Sequence, residues 1–202
     1  YAYGGIYLDT DVKVCRSFDP LLSYPAFFNF IFDCSVGSAI IGAQPGNPLV
    51  KALLDMYDAT EFGRNPDGKV FNFRDGRLIV DGYATSNYYY TYYILKHYPQ
   101  FRLNNQFQDL VDFVIFPKEL FEIGTITGKQ YAVHLCAGEW RLKTDDSKTM
   151  KNRIKKMIGK WPWLFDKVQI LVRKKRYDKL KTKIPFYEYY LAQKENHPLP
   201  EL

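Results

Sequence analysis

The chain has 202 residues, 47% hydrophobic and 25% charged, which suits one packed domain with or without a small appendage and excludes global disorder. No apolar run reaches the ~20 residues of a membrane-spanning helix. The formal charge of +6 is uneven: residues 148–183 hold 14 Lys/Arg against Asp166 and Asp178, a balance of +12, so the remainder carries −6.

Residues 2–8 are expected to form a strand, interrupted at Gly4-Gly5, where a strand glycine marks a bulge or a close backbone approach. Ser17-Phe18-Asp19-Pro20 reads as a turn followed by a short helical piece at Leu21-Leu22. The aromatic run AFFNFIF, 26–32, suits a buried strand. Asn47-Pro48 opens a helix, with Asn as N-cap, Pro at the first helical position, and Leu49, Val50, Leu53, Leu54 and Tyr57 at helical spacing. Residues 63–83, rich in Gly, Asp, Asn and Arg, are expected to be a loop. A second helix is expected over about 86–98. Strands are expected at 111–116 and 130–135, a helix at 148–160, and a further helix from Trp161-Pro162-Trp163 to about Lys183. Strands alternating with helices predict an α/β layered domain over residues 1–142 and a basic helical extension over 143–202.

Three cysteines, Cys15, Cys34 and Cys136, are far apart, odd in number and in no CxxC spacing. Free thiols in a reducing compartment are expected rather than a zinc site or a disulfide framework.

The first strand ends in Asp9-Thr10-Asp11, an acidic pair that forms strands poorly and does not belong in a core. If the strand continues, residues i and i+2 point the same way at the carboxyl edge of a sheet, where open α/β sheets bind ligands. Converging carboxylates repel unless a cation joins them, and a hard divalent ion accepts carboxylate and phosphate oxygens together. The spacing therefore reads as a metal platform for a phosphorylated ligand. The plainer reading is a pair of turn acids capping backbone amides.

YGGIYLDTDV resembles, nearly letter for letter, the DXD segment of the glycosyltransferases described as "sugar-binding region containing DXD motif", family 32. That family includes a yeast initiating α-mannosyltransferase and many bacterial capsule and lipopolysaccharide sugar transferases. FFNF…GSAIIGAQPGNPLVKALLDMY (27–57), IFPKELF (115–121) and KQYAVHLCAGEWR (129–141) resemble further segments of the family, in the same order. The resemblance spans about residues 1–142. It implies a GT-A fold and retaining transfer of a sugar from a UDP- or GDP-sugar to a glycan or lipid-linked acceptor in polysaccharide biosynthesis, with Mn²⁺ or Mg²⁺ as cofactor.

By the family's pattern Asp11 binds the metal most directly, and Asp9 meets the metal or the donor's sugar and ribose. Gly4 and Gly5 would let the backbone pass close to the donor. His134 matches a position that meets the metal or the diphosphate, and Trp140 one that closes over the donor. Read without the motif, His134 is a core histidine and Trp140 a packing residue. The chain departs from the pattern at Glu139, where the family usually has Ser, at Leu135-Cys136, and at Ser86-Asn87, near a common Gly-Pro. A Glu beside the leaving phosphate keeps a second reading open, a degenerate nucleotide-sugar-binding module. A phosphotransferase of the haloacid dehalogenase type also uses Asp-x-Asp after a strand, but Lys13 stands where that family wants Thr or Val.

Tyr88, Tyr89, Tyr90, Tyr92 and Tyr93 are expected to pack a helix rather than to stack on a sugar. Asp33, Asp81 and Asp109 are acceptor-contact candidates with nothing to raise them above surface acids, and His97 and His197 have no evident partner. The basic stretch 148–183, with Trp161 and Trp163, suits either a solvated face or an anionic membrane surface. It carries no nucleic-acid-binding signature. The chain begins with Tyr inside a motif and reads as a fragment lacking its N-terminus. The expected location is cytoplasmic, peripheral to the inner membrane in a bacterial setting, with the Golgi lumen as the alternative.

Overall fold

The computed structural model describes residues 1–63, 70–74, 77–81, 85–135 and 162–202. The expected helix 148–160, together with Cys136, Glu139, Trp140 and Trp161, lies outside the described residues.

A six-stranded mixed sheet forms the centre. It contains β1 (Gly5–Leu8), β3 (Ala26–Phe32), β4 (Ser35–Val36), β5 (Ile40–Ala43), β9 (Gln108–Asp109) and β10 (Val114–Phe116). The order is β1-β5-β3-β10-β9, with β4 also on β3, and only β3 and β10 run parallel. The aromatic run 26–32 is β3, almost wholly buried because apolar groups cover both of its faces. Alternation divides its side chains between those faces. Phe28 and Phe30 join the cluster holding Leu49, Leu53, Tyr92 and Phe113, whereas Phe27 joins Leu21, Val114, Phe116 and Phe121.

The helices follow their local signals. Helix α1 (Pro48–Ala59) begins where Asn47 Oδ1 accepts the Val50 N–H at 3.1 Å, and Asn47 Nδ2 donates to the Asp112 carbonyl at 2.7 Å. Leu49 and Leu53 are buried, while Leu54 and Tyr57 are exposed. Helix α2 (Ser86–His97) buries Tyr89 and Tyr92 and half-buries Tyr88, Tyr90 and Tyr93, so the tyrosines pack. His97 stacks on Tyr93, centroids 4.3 Å apart. Asn87 is buried and donates to Ser35 Oγ at 3.2 Å.

Two expectations are corrected. The loop expected over 63–83 holds strands: β6 (Glu61–Gly63), β7 (Phe71–Arg74) and β8 (Arg77–Asp81) form a sheet of order β6-β8-β7. Leu78, Ile79 and Val80 are buried, and Phe71 stacks on Tyr92 at 4.5 Å, burial that outweighs the polar composition around them. The strand expected from 111 begins only at Val114. Asp109 Oδ1 accepts the Val111 N–H, and Val111 (φ 71°) turns the chain back, so β9 and β10 form a hairpin.

The described C-terminal region packs into the same core. It comprises α3 (Pro162–Leu180), a 3₁₀ turn at Lys181–Lys183 and α4 (Tyr187–Glu195). Tyr177, Ile184 and Phe186 are buried in the cluster of Phe28 and Phe30, and the Tyr177 ring lies 5.1 Å from that of Phe32. The basic stretch is thus anchored along one side of α3 and is no free extension there. No helix among the described residues is long and apolar enough to cross a membrane.

Candidate metal centre

The acidic pair sits on a turn rather than along a continuing strand. Strand β1 stops at Leu8, and the Val12 N–H bonds back to the Asp9 carbonyl at 3.1 Å. The Asp9 N–H bonds to the Ala39 carbonyl at 2.9 Å, which ties the turn to the segment entering β5. Strand β2 (Val12–Val14) then leaves the turn and pairs antiparallel with β11 (Ala132–His134), setting His134 opposite Val12. The Leu135 N–H donates to the Asp11 carbonyl at 2.9 Å and locks this register. A one-residue slip would turn His134 to the other face.

Turn and register bring Asp9, Asp11 and His134 together, with one ligand atom from each inside a 4.8 Å span and all three half-buried. The His134 Nε2 to Asp11 Oδ1 distance is 3.2 Å, and Nδ1 lies 2.9 Å from Glu122 Oε2. If the Nδ1 proton goes to the Glu122 bond, an uncharged ring would turn the Nε2 lone pair toward a carboxylate. Two acceptors face each other comfortably only with a proton or a cation between them. Two carboxylates and an imidazole, partly open to solvent, fit a divalent ion. Ligands at roughly 2.1 Å from one ion stand about 3–4 Å apart, so small side-chain shifts close the set. Oxygen donors suit Mg²⁺ or Mn²⁺, and the imidazole favours the transition metal.

Tyr7 adds a further contact: its hydroxyl donates to Asp9 Oδ1 at 2.6 Å. This bond, with lesser help from burial and the Asp9 charge, pushes the Tyr7 phenol up to about 12. Burial also raises the Tyr90 phenol, with smaller contributions from Tyr57 and from Asp9, whose charge α2 thus feels.

The other expected site residues are placed differently. Gly4 and Gly5 lie at the far end of β1 from Asp9, roughly 13 Å away at strand rise. Gly4 (φ +65°) is required by the chain itself, since a Cβ there would meet Pro45 Cδ at 2.7 Å and the Ala43 carbonyl at 2.8 Å. A Cβ on Gly5 (φ +120°) would meet open space. Asp33 is a structural acid, bonded to Lys118 and, at 2.8 Å, to Lys181. Cys15 and Cys34 are free, and burial pushes the Cys34 thiol up to about 12. A cavity of about 690 Å³ between the C-terminal ends of α1 and α2 is lined by Asp58, Glu61, Arg77, Lys96 and His97 and includes no member of the Asp9 cluster.

Glu122 is the residue the sequence reading missed. It follows IFPKELF directly, between Phe121 and Ile123, and has no exposed surface. A carboxylate flanked by two buried apolar residues is the one local sign of it.

Residues 1–28 match the family model described as "Glycosyltransferase sugar-binding region containing DXD motif". The chain is 42% identical over 50 residues to inositol phosphoceramide mannosyltransferase 3 of Schizosaccharomyces pombe, covering 25% of this chain and 14% of that protein. It is 41% identical over 59 residues to the mannosyl phosphorylinositol ceramide synthase SUR1 of Saccharomyces cerevisiae, covering 28% of this chain and 15% of that protein. No solved structure matches the chain.

Proposed function

Residues 1–28 carry the DXD segment of the sugar-binding-region glycosyltransferases, and on that premise we propose that the chain belongs to a metal-dependent retaining glycosyltransferase of GT-A type. It moves a hexose from a UDP- or GDP-sugar to a glycan or lipid-linked acceptor. The observation that carries this reading is the meeting of Asp9, Asp11 and His134 at one point, although 123 positions separate Asp11 from His134.

Asp11 and His134 would hold the ion, with Asp9 as third ligand or as a contact to the donor sugar. When bound, the ion neutralises the charge that develops on the diphosphate leaving group. Asp9 is held at its turn by the Ala39 carbonyl and by the Tyr7 hydroxyl. The side chain of His134 is aimed by Glu122. By the resemblance to the family, Trp140 would meet the donor. The relatives' names point to a mannosyl donor and to an acceptor of the inositol phosphoceramide class, an anionic lipid. A lipid acceptor suits an anionic membrane surface contacted through 148–183.

The test is donor hydrolysis by the full-length protein over a panel of UDP- and GDP-sugars, with and without Mn²⁺, beside Asp11→Asn. Metal-dependent release of one nucleotide, lost in the variant, is expected. Donor binding without release would favour the degenerate module that Glu139 suggests. A stable phospho-aspartate at Asp9 would favour the phosphotransferase.

A further inference from the structure

We propose that Glu122 is a positioning residue of this metal centre, holding His134 so that Nε2 faces Asp9 and Asp11. The inference rests on the metal-dependent reading above. Glu122 sits in a short turn after β10, and its backbone N–H bonds to the Lys118 carbonyl at 2.7 Å. It grips His134 twice: its carbonyl accepts the His134 backbone N–H at 3.1 Å, and Oε2 accepts from Nδ1 at 2.9 Å. The first contact fixes the strand end and the second fixes the ring about it.

Glu122 is in turn held from two sides. Asn29 Nδ2 donates to Oε1 at 3.1 Å, and the Tyr177 hydroxyl donates to Oε2 at 3.3 Å. Asn29 reaches it because β3 alternation sends Asn29 to the same face as Phe27. Asn29 Oδ1 is buried and has no partner among the described residues. Turning the amide over would satisfy nothing, since it would set this oxygen against the carboxylate. Asn29 Nδ2 also donates to the Phe30 carbonyl at 3.0 Å, so the two acceptors together fix the amide with its donor toward Glu122.

Stability alone gives no reason for a carboxylate here. A fully buried ion is costly, and an apolar side chain of similar size would fill the space between Phe121 and Ile123 without desolvation. A carboxylate on the far nitrogen does what an apolar residue cannot: it accepts the Nδ1 proton, leaves the lone pair on Nε2, and makes that nitrogen the stronger ligand.

The test is Mn²⁺ affinity by titration calorimetry on the full-length protein, with near-UV circular dichroism to check the fold. The proteins compared are wild type, Glu122→Gln, His134→Ala and the double variant. Glu122→Gln is expected to weaken Mn²⁺ binding by about tenfold or more. Because Glu122 acts through the imidazole, adding Glu122→Gln to His134→Ala is expected to change affinity less than about twofold. Tyr177→Phe, which removes one bond to the carboxylate and leaves His134 untouched, is expected to weaken binding about two- to fivefold and serves if Glu122→Gln fails to fold. Unchanged affinity in Glu122→Gln and Tyr177→Phe, or an equal loss from Glu122→Gln in the wild-type and His134→Ala backgrounds, overturns the proposal and leaves the metal reading intact. A folded wild type that binds no Mn²⁺ overturns both.

Discussion

Lys181 and Asp33 stand 148 positions apart in the chain and 2.8 Å apart in space. Asp33 also bonds Lys118, a lysine only 5% exposed, so one carboxylate ties the end of β3, the turn after β10 and the 3₁₀ turn after α3. Burial would raise the Asp33 carboxyl, but hydrogen bonds from Lys118 and Lys181 more than reverse this and hold it below the usual carboxylate range. A depressed folded-state value means stability that is present above the unfolded value, near 3.8, and is lost as pH falls through the folded one. Asp33→Asn is expected to cost on the order of 3 kcal/mol at neutral pH, because Lys118 is left buried with Glu119 alone at 3.5 Å. Urea unfolding from pH 3 to 7 checks this. The gap between wild type and variant should narrow below about pH 4.

Gly42 on β5 lies against the Phe27 ring, and a Cβ there would come within 2.0 Å of Phe27 Cε1. Phe27 cannot easily retreat, being 2% exposed and stacked on Phe121 with centroids 6.1 Å apart. Gly42→Ala is expected to destabilise by about 3 kcal/mol. Adding Phe27→Leu should recover part of that, a non-additivity that thermal melts of the single and double variants would reveal.

Tyr7 is half exposed, so Tyr7→Phe should leave the melting temperature nearly unchanged. Its hydroxyl restrains Asp9, and its loss is expected to weaken Mn²⁺ binding about two- to fivefold. The phenol, pushed up to about 12, stays protonated at ordinary pH. The ratio of affinities between variant and wild type should therefore be flat from pH 6 to 9. A ratio that drifts toward one across that range would count against the contact.

Helix α3 buries Tyr177 and turns Lys174, Lys175 and Arg176 outward, with Leu171 and Val172 each 56% exposed nearby. Cations beside exposed aliphatic groups suit an anionic lipid surface, at about 1 kcal/mol per cation. The protein is expected to float with vesicles containing phosphatidylserine at low salt and to be released by high salt. Lys174→Glu, Lys175→Glu and Arg176→Glu together should abolish flotation. Failure of the unaltered protein to float at low salt would remove the membrane reading and favour a solvated face.

What could be read from the chain follows the range of the cause. Asn47-Pro48 marked the start of α1 because capping acts over three residues, and the aromatic run marked β3 because burial on both faces leaves an unbroken apolar stretch. The strands of 61–81 were hidden because Leu78-Ile79-Val80 is short and its polar surroundings read as turn. Asp9 and Asp11 were visible as a pair. Their convergence, however, comes from a β-turn and from the pairing of β2 with β11, neither of which follows from their spacing. Glu122 and Asp33 left little trace because each is defined by partners 12 to 148 positions away.

The Tyr177 hydroxyl bond to Glu122 also orders events in time. Translation at roughly 5–20 residues per second makes Asp9 and Asp11 first, His134 well after, and Tyr177 and Lys181 later still. A nascent chain can pair β2 with β11 as soon as both have emerged. The carboxylate behind His134 gains its Tyr177 contact only once α3 has been made and docked. Chains that terminate early, before α3, would thus carry the acidic turn and the histidine without this part of their support.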